Sequence, residues 1–243
     1  GLAESLPLIY RIHEDPDPDR IESLRDLAGF FGYSLPAKDI RPADLSRLLE
    51  QAKGTPQEYL ISSVTLRSMK RARYAVENVG HFGLASEAYA HFTSPIRRYP
   101  DLVVHRTLVR WLKGAQGRPT DGLKDVARHS SDMERRAQEA ERESVEAKTI
   151  RYMQRHLGDE FEGTIGGVTS FGLFVVLDGV LAEGLVRLGS LVDDFYTYDA
   201  DAHAVTGRRT RKRYRLGDRI SVQVVRVDTE SRTIDLELAG DLA

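Results

Sequence analysis

The hydrophobic period of this chain changes once, at Gly158, and that change restricts it to folds in which a helical part is followed by a β part. Before it, apolar residues recur at helical spacing. In 20–33, Ile21, Leu24, Leu27, Ala28 and Phe31 form one stripe, and the preceding prolines and acids of 14–19 suit the positive end of a helix dipole. A second helix is expected over 43–54, stopped at Gly54 with Pro56 beyond, and a third from about Pro56 to Tyr74. Pro100, Asp101 and Gly114 delimit a fourth, on which Val104, Leu108 and Trp111 share a face opposite a solvated stripe of Arg106, Arg110 and Lys113. After a loop at 115–122, a long helix is expected over about 123–156, with Met133, Ala137, Ala140, Val145 and Met153 as its buried seam. Ser131 and Glu134 have capping-box spacing, but inside this helix.

After Gly158 the pattern is that of short strands, at 160–168, 171–177, 184–189, 219–228 and 231–238. In the last, Ile234, Leu236 and Leu238 alternate with Asp235 and Glu237. In the fourth, Ile220, Val222 and Val224 keep one parity and Val225 and Val227 take the other, which predicts a bulge that bends the strand into a small closed barrel. Five short strands after helices predict an α+β chain with an OB-type barrel and a boundary near 157/158. A length of 243 residues, above the roughly 100–200 usual for one domain, agrees with two domains, 1–157 and 158–243.

Composition excludes several classes of function. No apolar run approaches the roughly 20 residues of a bilayer span, and the charged start lacks a signal-peptide pattern, so no membrane partner is expected. The absence of cysteine excludes disulfides and thiolate chemistry, and fits a reducing, cytoplasmic location. A net charge of −2 argues against a uniformly basic nucleic-acid binder and leaves room for a locally basic one. No Walker loop, dinucleotide fingerprint, HExxH or G-x-S-x-G is present. The four aspartates of 193–201 read as a solvated loop in preference to a metal site.

Four groups of residues could carry chemistry. Phe171 and Phe174, beside Gly166 and Gly167, could stack bases, with Arg187, Arg226 and Arg232 supplying phosphate contacts. Aromatics on short strands are also ordinary core, and a spacing of three places these two on opposite faces unless Phe171 sits at the strand's entrance or the strand coils strongly. The run 208–219 holds seven basic residues and one acid around Tyr214, suited to a polyanion or simply to solvent. Arg67, Lys70, Arg71 and Arg73 form a third group. The fourth is Arg97 and Arg98 after Thr93 and Ser94, where hydroxyls and backbone N–H groups near a helix start add donors. His81, His91 and His105 lack a metal-ligand spacing and read as hydrogen-bonding or core residues.

The stretch 81–106, HFGLASEAYAHFTSPIRRYPDLVVHR, with LRSM at 66–69, closely resembles the end of the catalytic domain of the ribonuclease R and ribonuclease II (RNB) family of exoribonucleases. Likewise 163–177 and 183–191 resemble an S1 domain, the OB-fold RNA-binding module that follows it. The resemblance implies the mostly helical C-terminal portion of an RNB catalytic domain followed by a five-stranded barrel. The implied activity is processive hydrolysis of single-stranded RNA from its 3′ end to nucleoside 5′-monophosphates, with magnesium. By motif position it implies a catalytic Arg97 at the scissile phosphate, with Thr93, Ser94 and Arg98 as RNA contacts beside it. It implies further RNA contacts at Glu141, Phe171, Phe174, Arg187, Asp228 and Arg232, although histidine is common where Arg187 stands.

The family's magnesium ligands are closely spaced aspartates near the start of the catalytic domain, and no such segment occurs in these 243 residues. The chain is therefore expected to begin inside that domain, to have no metal site of its own, and to have the missing N-terminal part as a partner, besides single-stranded RNA and RNA-decay or ribosome-associated proteins. Two alternatives remain: a non-catalytic RNA-binding adaptor, and a protein-docking scaffold whose basic residues are merely solvated.

Overall fold

The computed structural model describes residues 6–55, 57–114, 122–180, 182–199, 202 and 204–240. Pro56 and all of the expected loop at 115–122 except Gly122 lie outside the described residues, as do positions 200 and 201 of the aspartate-rich segment. No described helix is long and apolar enough to cross a membrane. The chain forms two compact units, Gly1–Lys53 with Ile61–Glu139, and Gly54–Leu60 with Ala140–Ala243.

In the first unit, α1 (Pro18–Phe30) starts where Asp17 accepts the N–H of Asp19 and Pro18 fixes the first turn. Its stripe of Ile21, Leu24 and Ala28 is buried against Leu45, Leu48 and Ala52 of α2 (Pro42–Ala52). The third helix is shorter than its spacing suggested. α3 spans Glu58–Ser68, and Arg73–Ala75 forms a strand, β2, antiparallel to β1 (Tyr10–Ile12) with Tyr74 opposite Arg11. Burial decides this: Tyr74 packs with Ile9, Leu123 and Ala127, and its N–H donates to Ser131 Oγ at 2.9 Å. Ser131 is thus an interior residue of its helix that ties down a strand, and it caps nothing.

α4 (Tyr99–Leu112) buries Val104 and half-buries Leu108 as its pattern required, but Trp111, expected on that face, is 43% exposed. It lies in the last turn, past the neighbours that cover Val104. α5 (Leu123–Met153) departs further, because Met133, Ala137, Ala140 and Val145 are exposed. Only its ends are buried, Leu123 and Ala127 in one apolar cluster, Ile150 and Met153 in another, and the charged middle turns between them offer no continuous stripe.

The second unit is built on a closed barrel of five strands in the order β10-β5-β4-β3-β9. These are β3 (Glu160–Val168), β4 (Gly172–Leu177), β5 (Glu183–Arg187), β9 (Arg219–Asp228) and β10 (Thr233–Leu238). Inward residues Ile165, Leu173, Val175, Val186, Val222, Val224 and Leu236 fill it. The expected bulge is at Val225: Asp235 pairs with Arg226 and Leu236 with Val224, so the parity of β9 switches there. Gly184 lets β5 and β10 close, since a Cβ there would lie 2.5 Å from Leu236 Cδ1.

Between β5 and β9 the structure holds a feature the sequence pattern did not reveal. β6 (Tyr196–Asp199), β7 (Ala204–Gly207) and β8 (Arg213–Arg215) make a separate three-stranded antiparallel sheet. Val205 and Tyr214 from it join the barrel's apolar cluster. Tyr214, embedded in the basic run, is therefore core. The aspartates of 193–199 are structural too. Asp194 accepts the N–H groups of Arg209 and Thr210 and the Thr210 hydroxyl, and Asp193 accepts the Tyr196 hydroxyl. Thr210's N–H is the main reason the Asp194 carboxyl lies at about 2.

Candidate functional site

In the first unit, the loop 92–98 is held from one side by α4. Phe92 is fixed by His105, whose ring stacks on it with centroids 4.1 Å apart and whose Nε2 lies 2.7 Å from the Phe92 carbonyl oxygen. Further along the loop, Asp101, 0% exposed, accepts three hydrogen bonds at Oδ2: from the Ser94 N–H at 2.8 Å, Arg98 Nη2 at 2.8 Å and Arg98 Nε at 3.2 Å. Arg98 Nη2 also reaches the Thr93 hydroxyl at 3.4 Å, and the N–H groups of Arg97 and Arg98 turn back onto the Ser94 carbonyl.

This geometry divides the predicted residues. Ser94's N–H and Arg98's guanidinium, both expected to face a ligand, are engaged by Asp101, and they shape the loop. Arg97 is exposed and has no ion pair among the described residues. Its neighbour Ile96 is 97% exposed and Tyr99 is exposed as well, so a fixed loop presents one free guanidinium with apolar and aromatic groups on either side. Thr93 is exposed, its hydroxyl within reach of Arg98. Sequence reasoning missed Asp101, Phe92 and His105 as parts of the site. For Asp101 the signal was its three-residue spacing from Arg98; for the other two there was none, because residues 13 apart meet only after α4 folds back.

His91 and His13 are hydrogen-bonding residues, whereas His81 is packed edge to face against the His13 and Tyr89 rings. His91 Nδ1 lies 2.9 Å from the Tyr74 hydroxyl, and burial lowers the pKa of both His81 and His91. His13 accepts the Gly83 N–H at Nδ1 and donates from Nε2 to the Lys70 carbonyl, which fixes its neutral tautomer. Of the third basic group, Arg73 pairs with Glu14 at 3.1 Å. Arg67, Lys70 and Arg71 are exposed and line a groove with Arg20, His13 and His81.

In the second unit, Phe171 stands immediately before β4 and is 57% exposed, while Phe174 is half-buried. Their rings meet edge to face with centroids 5.9 Å apart. The entrance position removes the parity conflict: Phe171 is outside the regular alternation, its carbonyl accepting from the Leu188 N–H at 3.0 Å. Gly167 lies close under Phe174, where a Cβ would come within 3.3 Å of the Phe174 Cβ and 3.4 Å of its ring Cδ2.

The charged residues around the platform all have partners within the unit. Arg187 pairs with Asp235 at 3.1 Å, Arg226 with Asp228 at 3.3 Å and Arg232 with Glu146 at 3.7 Å. These guanidiniums remain well exposed, so such pairs are weak and can be exchanged for phosphate. Asp228 serves the fold, accepting the N–H groups of Ser231 and Glu230 in the β9–β10 turn, which hold its carboxyl below the usual range. Glu141 is exposed on α5. Among the described residues no three His, Asp or Glu side chains are grouped so as to hold a metal ion. The described residues therefore do not fit a magnesium site.

Comparison with known proteins agrees with the two-part architecture. Residues 2–114 match the RNB domain model and residues 156–239 the S1 RNA binding domain model. The ribonuclease R of Aquifex aeolicus is 44% identical over 240 residues, covering 97% of this chain and 34% of that protein. The chain thus spans about a third of the length of the curated relatives it matches. The apo form of Mycoplasma genitalium RNase R superposes with a TM-score of 0.86 at 28% identity, covering 98% of this chain and 38% of that one. The same protein in complex with ribose methylated single-stranded RNA gives a TM-score of 0.85, with 28% identity and the same coverage.

Proposed function

The chain belongs to the RNB family of ribonucleases R and II and carries an S1 RNA-binding domain, and from that membership we propose that it is part of a hydrolytic exoribonuclease that degrades single-stranded RNA processively from the 3′ end to nucleoside 5′-monophosphates. The observation that carries this reading is Arg97, a guanidinium without an ion pair among the described residues, on a loop pinned by a buried carboxylate. An arginine so placed grips a phosphate through two N–H groups and offsets the charge that develops on it during hydrolysis. The Thr93 hydroxyl adds a donor beside it.

In the S1 domain, Phe171 and Phe174 offer a surface for base stacking, with Arg187 and Arg232 available to phosphates. The M. genitalium enzyme's complex with ribose methylated single-stranded RNA supports the same ligand class for this chain. Glu141 is assigned to the terminal nucleotides by resemblance alone. Magnesium is assigned to aspartates outside these 243 residues.

The test is incubation of the chain with a labelled, unstructured oligoribonucleotide and magnesium ions. The chain is expected to retain the oligonucleotide and leave it intact. Since stacking is worth about 1–3 kcal/mol per base, combining Phe171→Ala with Phe174→Ala is expected to weaken retention by at least about tenfold. Steady release of mononucleotides by the chain alone would overturn the assignment of the metal ligands elsewhere. Absence of retention would overturn the RNA reading, and unchanged retention by the double variant would show that neither ring contacts RNA.

A further inference from the structure

The three-stranded sheet β6–β7–β8 has one face against the barrel and one face outward, and the outward face carries no part of the site described above. Strand alternation sends Val205 and Tyr214 inward. The register then lines up Thr197, Thr206 and Arg213 across the other face, since Thr197 is opposite Thr206 and Thr206 opposite Arg213. The turn between β7 and β8 adds Arg208, Arg209, Arg211 and Lys212, all exposed.

This turn is held rigidly. Asp194 accepts the N–H groups of Arg209 and Thr210 and the Thr210 hydroxyl, and the Gly207 N–H closes the turn on the Lys212 carbonyl at 2.9 Å. Arg211 has a φ of 61°, a left-handed conformation that a non-glycine residue keeps only where its surroundings impose it. The carboxylates nearby bond to other groups, Asp194 to the turn, Asp193 to Tyr196 and Lys212, Asp218 to Arg215, and Asp199 to the Ala202 N–H, and none of them forms an ion pair with Arg208, Arg209, Arg211 or Arg213 among the described residues. Arg208 donates to the Thr197 hydroxyl and Arg209 to the Asp193 backbone carbonyl, so neither is neutralised. Arg211 and Arg213 have no ion pair among the described residues. The result is four guanidiniums without a carboxylate partner among the described residues, on a fixed turn, next to two threonine hydroxyls.

We propose that this face is a second RNA contact, binding the sugar-phosphate backbone without regard to sequence and separately from the Phe171 and Phe174 platform. Hydroxyls and guanidiniums on a flat strand surface suit phosphate oxygens, and the exposed ring of Phe195, whose carbonyl accepts the Arg208 N–H, can add only base stacking, which is itself indifferent to sequence. The proposal rests on the RNA reading above and extends the length of strand that the chain engages.

The experiment is a salt titration of binding between the chain and a labelled oligoribonucleotide. Each phosphate contact to a single strand contributes about 0.7 to the slope of log affinity against log salt. Combining Arg211→Gln with Arg213→Gln removes two charges that hold no part of the fold. It is expected to flatten the slope by about 1.4 and to weaken binding about tenfold at low salt, equally for different sequences. Combining Arg110→Gln with Lys113→Gln on α4 removes the same charge elsewhere and is expected to leave the slope unchanged. An unchanged slope in the first variant, with the parent chain binding normally, overturns this surface alone. Equal flattening in both variants overturns it as well, by showing a general charge effect. A parent chain that fails to bind RNA overturns this surface together with the function proposed above.

Discussion

Asp101→Ala is expected to destabilise the helical unit by about 3–5 kcal/mol, the usual consequence of removing one partner from a buried ion pair. The carboxylate is 0% exposed and gathers three donors from the Ser94 N–H and the Arg98 guanidinium. Its loss leaves the Arg98 side chain, largely buried, without its counter-charge, and leaves the Ser94 N–H without an acceptor. Domains are stable by only about 5–15 kcal/mol, so a loss of this size removes a large share of the total. Urea unfolding followed by far-ultraviolet circular dichroism would register it as a lower midpoint with an unchanged slope. Asp101→Asn keeps an acceptor and the shape, and is expected to lose less. A midpoint within error of the parent for the alanine variant would show that the pair does not organise the loop.

Arg97→Ala is expected to have the opposite profile. Arg97 makes no ion pair among the described residues, so unfolding should be unchanged. On the proposed reading, in an exoribonuclease that combines this chain with the metal-binding aspartates, kcat is expected to fall about 10²–10³-fold with little change in KM, the range seen when a donor to a developing negative charge is removed. Arg97→Lys should restore only part of the rate, since an ammonium keeps the charge and loses the two-pronged geometry. A rise in KM with kcat preserved would make Arg97 an ordinary RNA contact. The pair of variants separates the two roles proposed for adjacent residues, Asp101 in holding the loop and Arg97 in contacting phosphate.

The parts of this fold visible in the sequence are those whose signal is local and repeated. α1 was legible because Pro18 and three buried residues at helical spacing specify it within 13 residues. The bulge at Val225 was legible because a switch of parity inside an otherwise regular strand has one geometric meaning. β2 was not, because three residues are too few to show a period and Tyr74 is decided by Ile9, Leu123 and Ala127. The sheet β6–β7–β8 was hidden for the same reason, its strands of three or four residues lying among charges that read as loop.

The same distinction governs the site. A run of charge identifies candidates but says nothing about which are already neutralised. Arg187 meets Asp235 from 48 residues away, a pairing that exists only once β5 and β10 lie side by side. Arg98 and Arg97 are adjacent and chemically identical, and only the fold turns one toward Asp101 and the other outward. For Phe171 the alternation rule was correct and the strand boundary was the missing fact.

If exposed groups on the loop 92–99 and at the entrance to β4 hold single-stranded RNA, the strand must lie within bonding distance of their aromatic rings. Zero-length photochemical cross-linking of the chain to an unstructured oligoribonucleotide, with the modified peptides identified by mass spectrometry, reads out that proximity residue by residue. Adducts are expected at Phe171 or Phe174 and at Phe92 or Tyr99, lost when unlabelled RNA competes. Adducts confined to other peptides, with these four aromatic residues unmodified, would mean that RNA, if it binds, binds elsewhere on the chain.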